Sequence, residues 1–193
     1  MISFQLWGLR VELHWSFLLL LGLSAGWPPL RVGLGAALCH ELAHLAAMGA
    51  AGIAPAHFRL GLTGGRLRGR GAACLRAELL SVLAGPACNL LLAAAFRTAP
   101  AESLRLFSAV NLVLGVFNLL PVQGLDGGRA LRLFLERKAP GRGTGFCTLL
   151  SLLTLGLLWV WCLWLWRRHP HLPTLMLLPA VPASAFLKWR KNG

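Results

Sequence analysis

The sequence predicts an all-α polytopic membrane protein of about six transmembrane helices, with a short interfacial β-hairpin after the second. Two observations carry this expectation. Of the 193 residues, 56% are hydrophobic and only 13% charged, whereas soluble domains hold about 25% charged residues; mean hydropathy is +0.66. The apolar residues also gather into runs near bilayer-spanning length, separated by short basic or Gly/Pro-rich breaks.

Residues 1 to 13, with Arg10 and Glu12, form a short polar-to-apolar lead. No small-residue cleavage site follows the first apolar run, so that run is expected to stay in the chain as a helix. Segment one, His14 to Trp27, is bracketed by Trp15 and Trp27 as an interfacial belt would be and stops at Pro28-Pro29. Its Gly22 and Gly26 permit close helix packing, and His14 reads as an interfacial or hydrogen-bonded histidine. Segment two, Val32 to Ile53, carries no charge except Glu41 and is rich in Ala and Gly. From His57 the character changes: polar or small residues alternate with apolar ones around the Thr63-Gly64-Gly65 turn. That stretch fits a β-hairpin over 57 to 68 at the interface, and a solvated basic loop equally well.

Segment three, Leu79 to Phe96, contains Ala84-Gly85-Pro86-Ala87-Cys88-Asn89, where Pro86 is expected to kink the helix and Asn89 to need a buried partner. Segment four, Leu104 to Val122, carries Asn111 and Asn118 and breaks at Pro121. A glycine-rich break from Gln123 to Arg129 follows, then a basic stretch to Arg142. Segment five, Gly145 to Trp166, is uncharged and ends among tryptophans; segment six, Leu172 to Phe186, is crossed by Pro173, Pro179 and Pro182. The tail Lys188-Trp189-Arg190-Lys191 closes the chain. With no repeat and no low-complexity tract, residues 1–193 are expected to form one membrane-embedded domain without a separate soluble regulatory domain.

A net charge of +13 would suit nucleic acid, but the cations are scattered through loops, with no basic helix and no aromatic platform. Membrane orientation explains them better. Fourteen of the nineteen basic residues fall in the lead, the 57–76 and 123–143 loops and the tail; the opposite side holds Arg31, Arg97, Arg105, Arg167 and Arg168. Both termini are therefore expected to be cytoplasmic. The five cysteines are odd in number, lack CxxC spacing and lie mostly in apolar runs, so they read as small packing residues.

The chemistry lies in His40-Glu41-Leu42-Ala43-His44. Two histidines four apart share a helix face and can ligate one Zn2+, with the glutamate between them in reach of a water at the metal. Glu41 points about 100° around the helix from His40, which suits a general base rather than a ligand. As a chance pattern, the motif would strand two imidazoles and a carboxylate in hydrocarbon at a cost of several kcal/mol. A hydrolytic zinc takes three protein ligands. The candidates for the third are Asp126, Glu78, His57 and His14. Asp126 is favoured: it sits among glycines that let the backbone approach a metal, and it is costly there without a cation.

Three motifs resemble one family. HELAH in segment two, AGPACN in segment three and NLLPVQGLDGGR at the end of segment four look like the signatures of the site-2 proteases, intramembrane zinc metalloproteases. The compact six-span layout and the opening VELHWSFLLL resemble the sporulation stage IV FB group within it. The resemblance implies one Zn2+ per chain on His40, His44 and Asp126, with Glu41 as catalytic acid/base. It implies that Asn118 helps hold the substrate or its oxyanion; a helix-packing hydrogen bond is an equal reading of that residue. It implies a multi-pass protein of the bacterial cell membrane that acts on a membrane-embedded or membrane-associated protein, such as a sigma-factor precursor or an anti-sigma factor, with regulatory membrane proteins as possible partners and no nucleic acid. In a departure from the FB pattern, no nucleotide-binding domain of the cystathionine-β-synthase type and no PDZ domain are expected within residues 1–193, so ATP-linked regulation is not expected of this stretch.

Two other classes fit parts of this pattern: a metal-ion transporter and a non-catalytic metal-binding scaffold. A transporter should line successive spans with polar residues, whereas here they gather at one level. Because a membrane substrate arrives as a helix, the open edge of the 57–68 hairpin is a candidate for pairing with its unwound backbone.

Overall fold

The computed structural model describes residues 2–6, 9–61, 64–70, 74–138, 140–141, 143–169 and 179–192. Its contacts gather into two compact units, Met1–Val116 and Phe117–Gly193.

The first unit opens not with a featureless lead but with a β-hairpin, β1 (Ile2–Leu6) and β2 (Leu9–Leu13). Ile2-Ser3-Phe4-Gln5-Leu6 and Leu9-Arg10-Val11-Glu12-Leu13 both alternate apolar and polar residues, the strand period. Glu12 is buried and pairs with Arg10 Nε at 3.2 Å. The helices α1 (Trp15–Ser24) and α2 (Pro28–Ala50) follow, then β3 (Ala54–Gly61) and β4 (Gly64–Arg70). All four strands form one sheet in the order β1-β2-β3-β4. The outer pairs are antiparallel and β2 runs parallel to β3, with Arg10 opposite His57 and Leu13 opposite Leu60. A parallel pair needs a long crossover, and α1 with α2 supplies it. The expected hairpin is therefore present, extended to 54–70, but it belongs to a larger sheet, so the fold is not all-α. Of its two strands only β4 is an edge.

Pro28 and Pro29 start α2 at the positions where a missing N–H costs nothing. The helix ends in a Schellman cap: Gly52 has φ +68°, its N–H donates to Gly49 O at 3.1 Å, and Ile53 N–H donates to Met48 O at 2.9 Å. The unit continues with α3 (Leu75–Phe96), which contains Pro86, and α4 (Glu102–Asn118). Gly115 is where α4 crosses α3: a methyl there would sit 3.2 Å from Pro86 O and 3.1 Å from Leu90. Ser108 Oγ donates to Ala93 O at 2.6 Å, further along the same crossing. Asn111 Nδ2 donates to Phe107 O at 2.8 Å. Asn89 is fully buried, and its amide meets no hydrogen-bond partner among the described protein groups. Such groups in proteins are commonly met by an ordered water. Gly22 and Gly26 face open space among the described residues rather than a packed helix.

In the second unit, α5 (Asp126–Lys138) occupies what the sequence suggested was a loop, α6 (Gly143–Arg168) is the longest helix, and α7 (Ala180–Asn192) includes the basic tail. Val122, Leu155 and Phe186 form its buried apolar cluster. The 119–125 turn is pinned to α6 by Ser151 Oγ, which accepts Gln123 N–H at 2.9 Å. Gly127 and Gly128, in the first turn of α5, lie flat against the backbone of Leu119, Leu120, Val122 and Gln123; a methyl at Gly128 would fall 2.7 Å from Gln123 N.

Four helices are long and apolar enough to cross a bilayer: Pro28–Ala50, Leu75–Phe96, Glu102–Leu119 and Gly143–Arg168. Six are not found. α1 has ten residues and α7 thirteen, short of the roughly 20 that a span needs, and residues 172–178 of segment six lie outside the described ones. Burial in these helices is the reverse of a soluble protein. Leu42, Leu80, Leu91, Leu112, Leu153 and Leu157 are exposed while His40, Glu41, Ser81, Asn89, Asn111 and Ser151 are buried. Lipid is the solvent that makes this stable.

Gly128→Ala forces backbone apart and should cost about 1–3 kcal/mol, lowering the thermal midpoint in detergent by several degrees. Gly145→Ala, where nothing lies within 4 Å, should leave the midpoint unchanged or raise it. Equal midpoints for the two variants would contradict the packing at the start of α5.

Candidate metal centre

The buried residues of α2 are Ala36, His40, Glu41, His44 and Met48, a stripe at i, i+4, i+8 and i+12 with Glu41 beside it. The stripe faces α3, whose buried face is Ser81, Val82, Gly85, Pro86, Asn89 and Ala93. His44 Nδ1–H donates to the Ser81 carbonyl at 2.7 Å. A carbonyl only accepts, so the proton must sit on Nδ1, and the neutral ring presents its Nε2 lone pair. The Nε2 atoms of His44 and His40 lie 3.1 Å apart, with the rings edge-on at 85°. Two imidazole nitrogens on one tetrahedral zinc, each at about 2.0–2.1 Å, stand about 3.3 Å from each other. The pair thus has the spacing of two ligands on one ion.

Gly85 is the seat of this pair. A methyl built there would strike His44 Nε2 and come within 2.7 Å of His44 Cε1 and 2.8 Å of His40 Cε1. The imidazoles rest on bare backbone, and Gly85 is glycine for that reason rather than for its dihedral angles.

Asp126, half-buried, is the first residue of α5, with Gly127 and Gly128 behind it. His40, His44 and Asp126 make up a donor set that could hold a metal ion, and two imidazoles with a carboxylate suit a single Zn2+. Of the other third-ligand candidates, Glu78 is in the first turn of α3, His14 is exposed just before α1, and the side chain of His57 lies outside the described residues. Glu41 is 9% exposed. Asn118 is the last residue of α4 and half-buried. The cysteines are free, Cys147 and Cys162 buried as packing residues and Cys74 exposed. No residue pattern points to Ser81, because its contribution is a main-chain carbonyl.

Replacing Gly85 with alanine should lower zinc per chain, measured by atomic emission after detergent purification, well below the wild-type value of about one. Gly49→Ala, in the same bundle but facing open space, should retain it. Full zinc in Gly85→Ala would remove the glycine seat from the account.

The pattern of Peptidase family M50 matches residues 93–158. The Rip3 protein of Mycobacterium tuberculosis, provisionally named a zinc metalloprotease, is 35% identical over a 167-residue alignment in each of two strains. That alignment covers 68% of this chain and 42% of the relative, so the chain spans less than half the length of the curated relatives it matches. A solved site-2 protease from Methanocaldococcus jannaschii shares the fold, with a TM-score of 0.69 at 23% identity over 97% of this chain and 94% of that one. Membrane helices, a histidine pair with the geometry of zinc ligands and these likenesses together support peptidase family M50, the site-2 proteases, as the family of this chain.

Proposed function

We propose that the protein is a multi-pass intramembrane zinc endopeptidase that hydrolyses a peptide bond in a membrane-embedded or membrane-associated protein. One observation carries this reading above the rest. In an apolar helix of spanning length that leaves Leu38 and Leu42 exposed, two imidazole Nε2 atoms converge at 3.1 Å, one with its tautomer set by a buried carbonyl. A transporter or scaffold has no need of the third feature, an acidic side chain placed between the two ligands and itself buried.

On this reading His40, His44 and Asp126 hold the ion, which when bound supplies Lewis acidity to polarise the scissile carbonyl. Glu41 does the proton work. Its carboxylate takes a proton from the attacking water as the O–C bond forms, and returns it to the leaving amine as the C–N bond breaks. Asn118, at the end of α4, is assigned to holding the substrate backbone or the developing oxyanion. The resemblance of NLLPVQGLDGGR to the family signature supports the roles given to Asn118 and Asp126. The edge strand β4 offers main-chain groups to which an unwound substrate can add as a strand; β3, paired on both sides, does not. The opening VELHWSFLLL and the FB-group resemblance favour a sigma-factor precursor or an anti-sigma factor as substrate. On the six-span layout that the sequence suggests, the basic-residue count favours both termini in the cytoplasm of a bacterial cell, with residues 1–193 acting as one membrane-embedded domain.

Glu41→Gln, purified in detergent beside the wild type and co-expressed with such substrates, should keep its zinc and lose cleavage by about 10²–10⁴-fold. Asp126→Asn should lose both zinc and cleavage. Undiminished cleavage by Glu41→Gln would refute the assigned base; wild type that takes up no zinc under metal-replete conditions would refute the metalloprotease reading altogether.

A further inference from the structure

The helix α5 has no part in the chemistry beyond its first residue, yet its sequence differs from that of every other long helix in the chain. Asp126-Gly-Gly-Arg-Ala-Leu-Arg-Leu-Phe-Leu-Glu-Arg-Lys138 carries four cations and two acids in thirteen residues. At 1.5 Å per residue it is about 20 Å long, too short and too charged to cross hydrocarbon. Around the helix, Leu131, Phe134 and Leu135 lie on one side with Lys138, and Arg129, Arg132 and Glu136 lie on the other, where Leu133 also falls.

Its depth is fixed by its own unit. The C-terminal half of α5 is stitched to the first turn of α6, the helix that enters the bilayer. A methyl at Gly143 would sit 3.2 Å from Glu136 N and 3.3 Å from Leu135, and Thr144 Oγ1 donates to Glu136 Oε1 at 3.2 Å. Arg132 pairs with the same carboxylate at 3.9 Å. Glu136 is thereby engaged, while Arg137 and Lys138 are exposed beside it. Phe134 is also exposed, at 41%, and Lys138 Nζ stands 4.9 Å over its ring. An aromatic ring open to its surroundings, a lysine whose stem runs across it and an arginine next to it, all at the level where a span begins, match the needs of the bilayer interface. The ring suits the acyl boundary and the two cations suit phosphate.

We infer that α5 is an anionic-lipid-binding element: Phe134 inserts at the acyl boundary while Arg137 and Lys138 pair with the phosphates of anionic headgroups. Charge complementarity selects the occupant, because two adjacent exposed cations, with the neighbouring Glu136 already engaged by Arg132 and Thr144, attract an anionic leaflet and gain little from a zwitterionic one. The docked helix holds Asp126 at its other end, so lipid composition bears on the position of a proposed metal ligand.

The test uses the full chain in nanodiscs of phosphatidylcholine alone and of a phosphatidylcholine/phosphatidylglycerol mixture. The readouts are the thermal midpoint and the phosphatidylglycerol retained in native mass spectrometry. Phosphatidylglycerol should raise the wild-type midpoint by about 2–4 °C, and the Arg137→Gln/Lys138→Gln variant should lose that rise and the retained lipid. Each variant is compared with itself in the two lipids, so a shifted baseline does not blur the result. Arg167→Gln/Arg168→Gln, at the far end of α6, should keep the rise. The inference is overturned by a wild type indifferent to phosphatidylglycerol, by a full rise in the Arg137/Lys138 variant, or by its loss in the Arg167/Arg168 variant instead. An equal rise from polyglutamate in phosphatidylcholine would assign the face to an acidic protein and also overturn it. Neither readout involves zinc or cleavage, so failure here is distinct from failure of the protease reading.

Discussion

The hydrogen bond from His44 to the Ser81 carbonyl sets the terms for the rest of the first unit. It requires α2 and α3 to run close enough for an imidazole to reach a main-chain oxygen, and that closeness leaves no room for a side chain at Gly85. The partner is a carbonyl rather than the carboxylate that often supports zinc-binding histidines. In hydrocarbon this choice has a clear advantage, because it fixes the tautomer without introducing a further buried charge. The carbonyl belongs to a helix, so its position is as rigid as α3 itself.

The candidate metal ligands can be picked out in the sequence, and much of the scaffold cannot. His40, Glu41 and His44 announce themselves by spacing, and the cost of stranding them in a bilayer turned a short motif into a firm expectation. Asp126 could be singled out because acids are so scarce that each needs a reason. The first strands were missed although their alternation is plain, because five-residue runs at a terminus carry little weight beside the long apolar runs that follow. Helix α5 was missed because Gly127 and Gly128 look like a break. They are glycine so that the 119–123 backbone can lie on them, a contact between main chains that leaves no mark in side-chain pattern. At α1 the flanking tryptophans and prolines bracket a helix of only ten residues, shorter than a span.

The second unit shows the same economy by other means. A single hydroxyl, Ser151, accepts from Gln123 N–H and donates to Cys147 O, anchoring the turn that precedes Asp126. Gly124, at φ +101°, brings that turn against the Ala185 carbonyl in α7. Few apolar side chains are buried here: Val122, Leu155 and Phe186 make up the cluster. Order in this region depends on backbone contacts and on the loss of side chains at chosen positions more than on apolar burial, as expected where lipid removes the usual drive to hide leucine.

The parallel pairing of β2 with β3 has a consequence for how the chain is assembled. Leu13 and Leu60 are neighbours in the sheet but stand on either side of α1 and α2 in sequence. During synthesis the N-terminal hairpin must therefore wait, without its third strand, until the histidine-bearing helix has been made. Such non-local closure is slow compared with hairpin or helix formation. Once made, it ties the two ends of the α1–α2 excursion together, so the helix that carries the histidines cannot slide along its axis without breaking a ladder of main-chain hydrogen bonds.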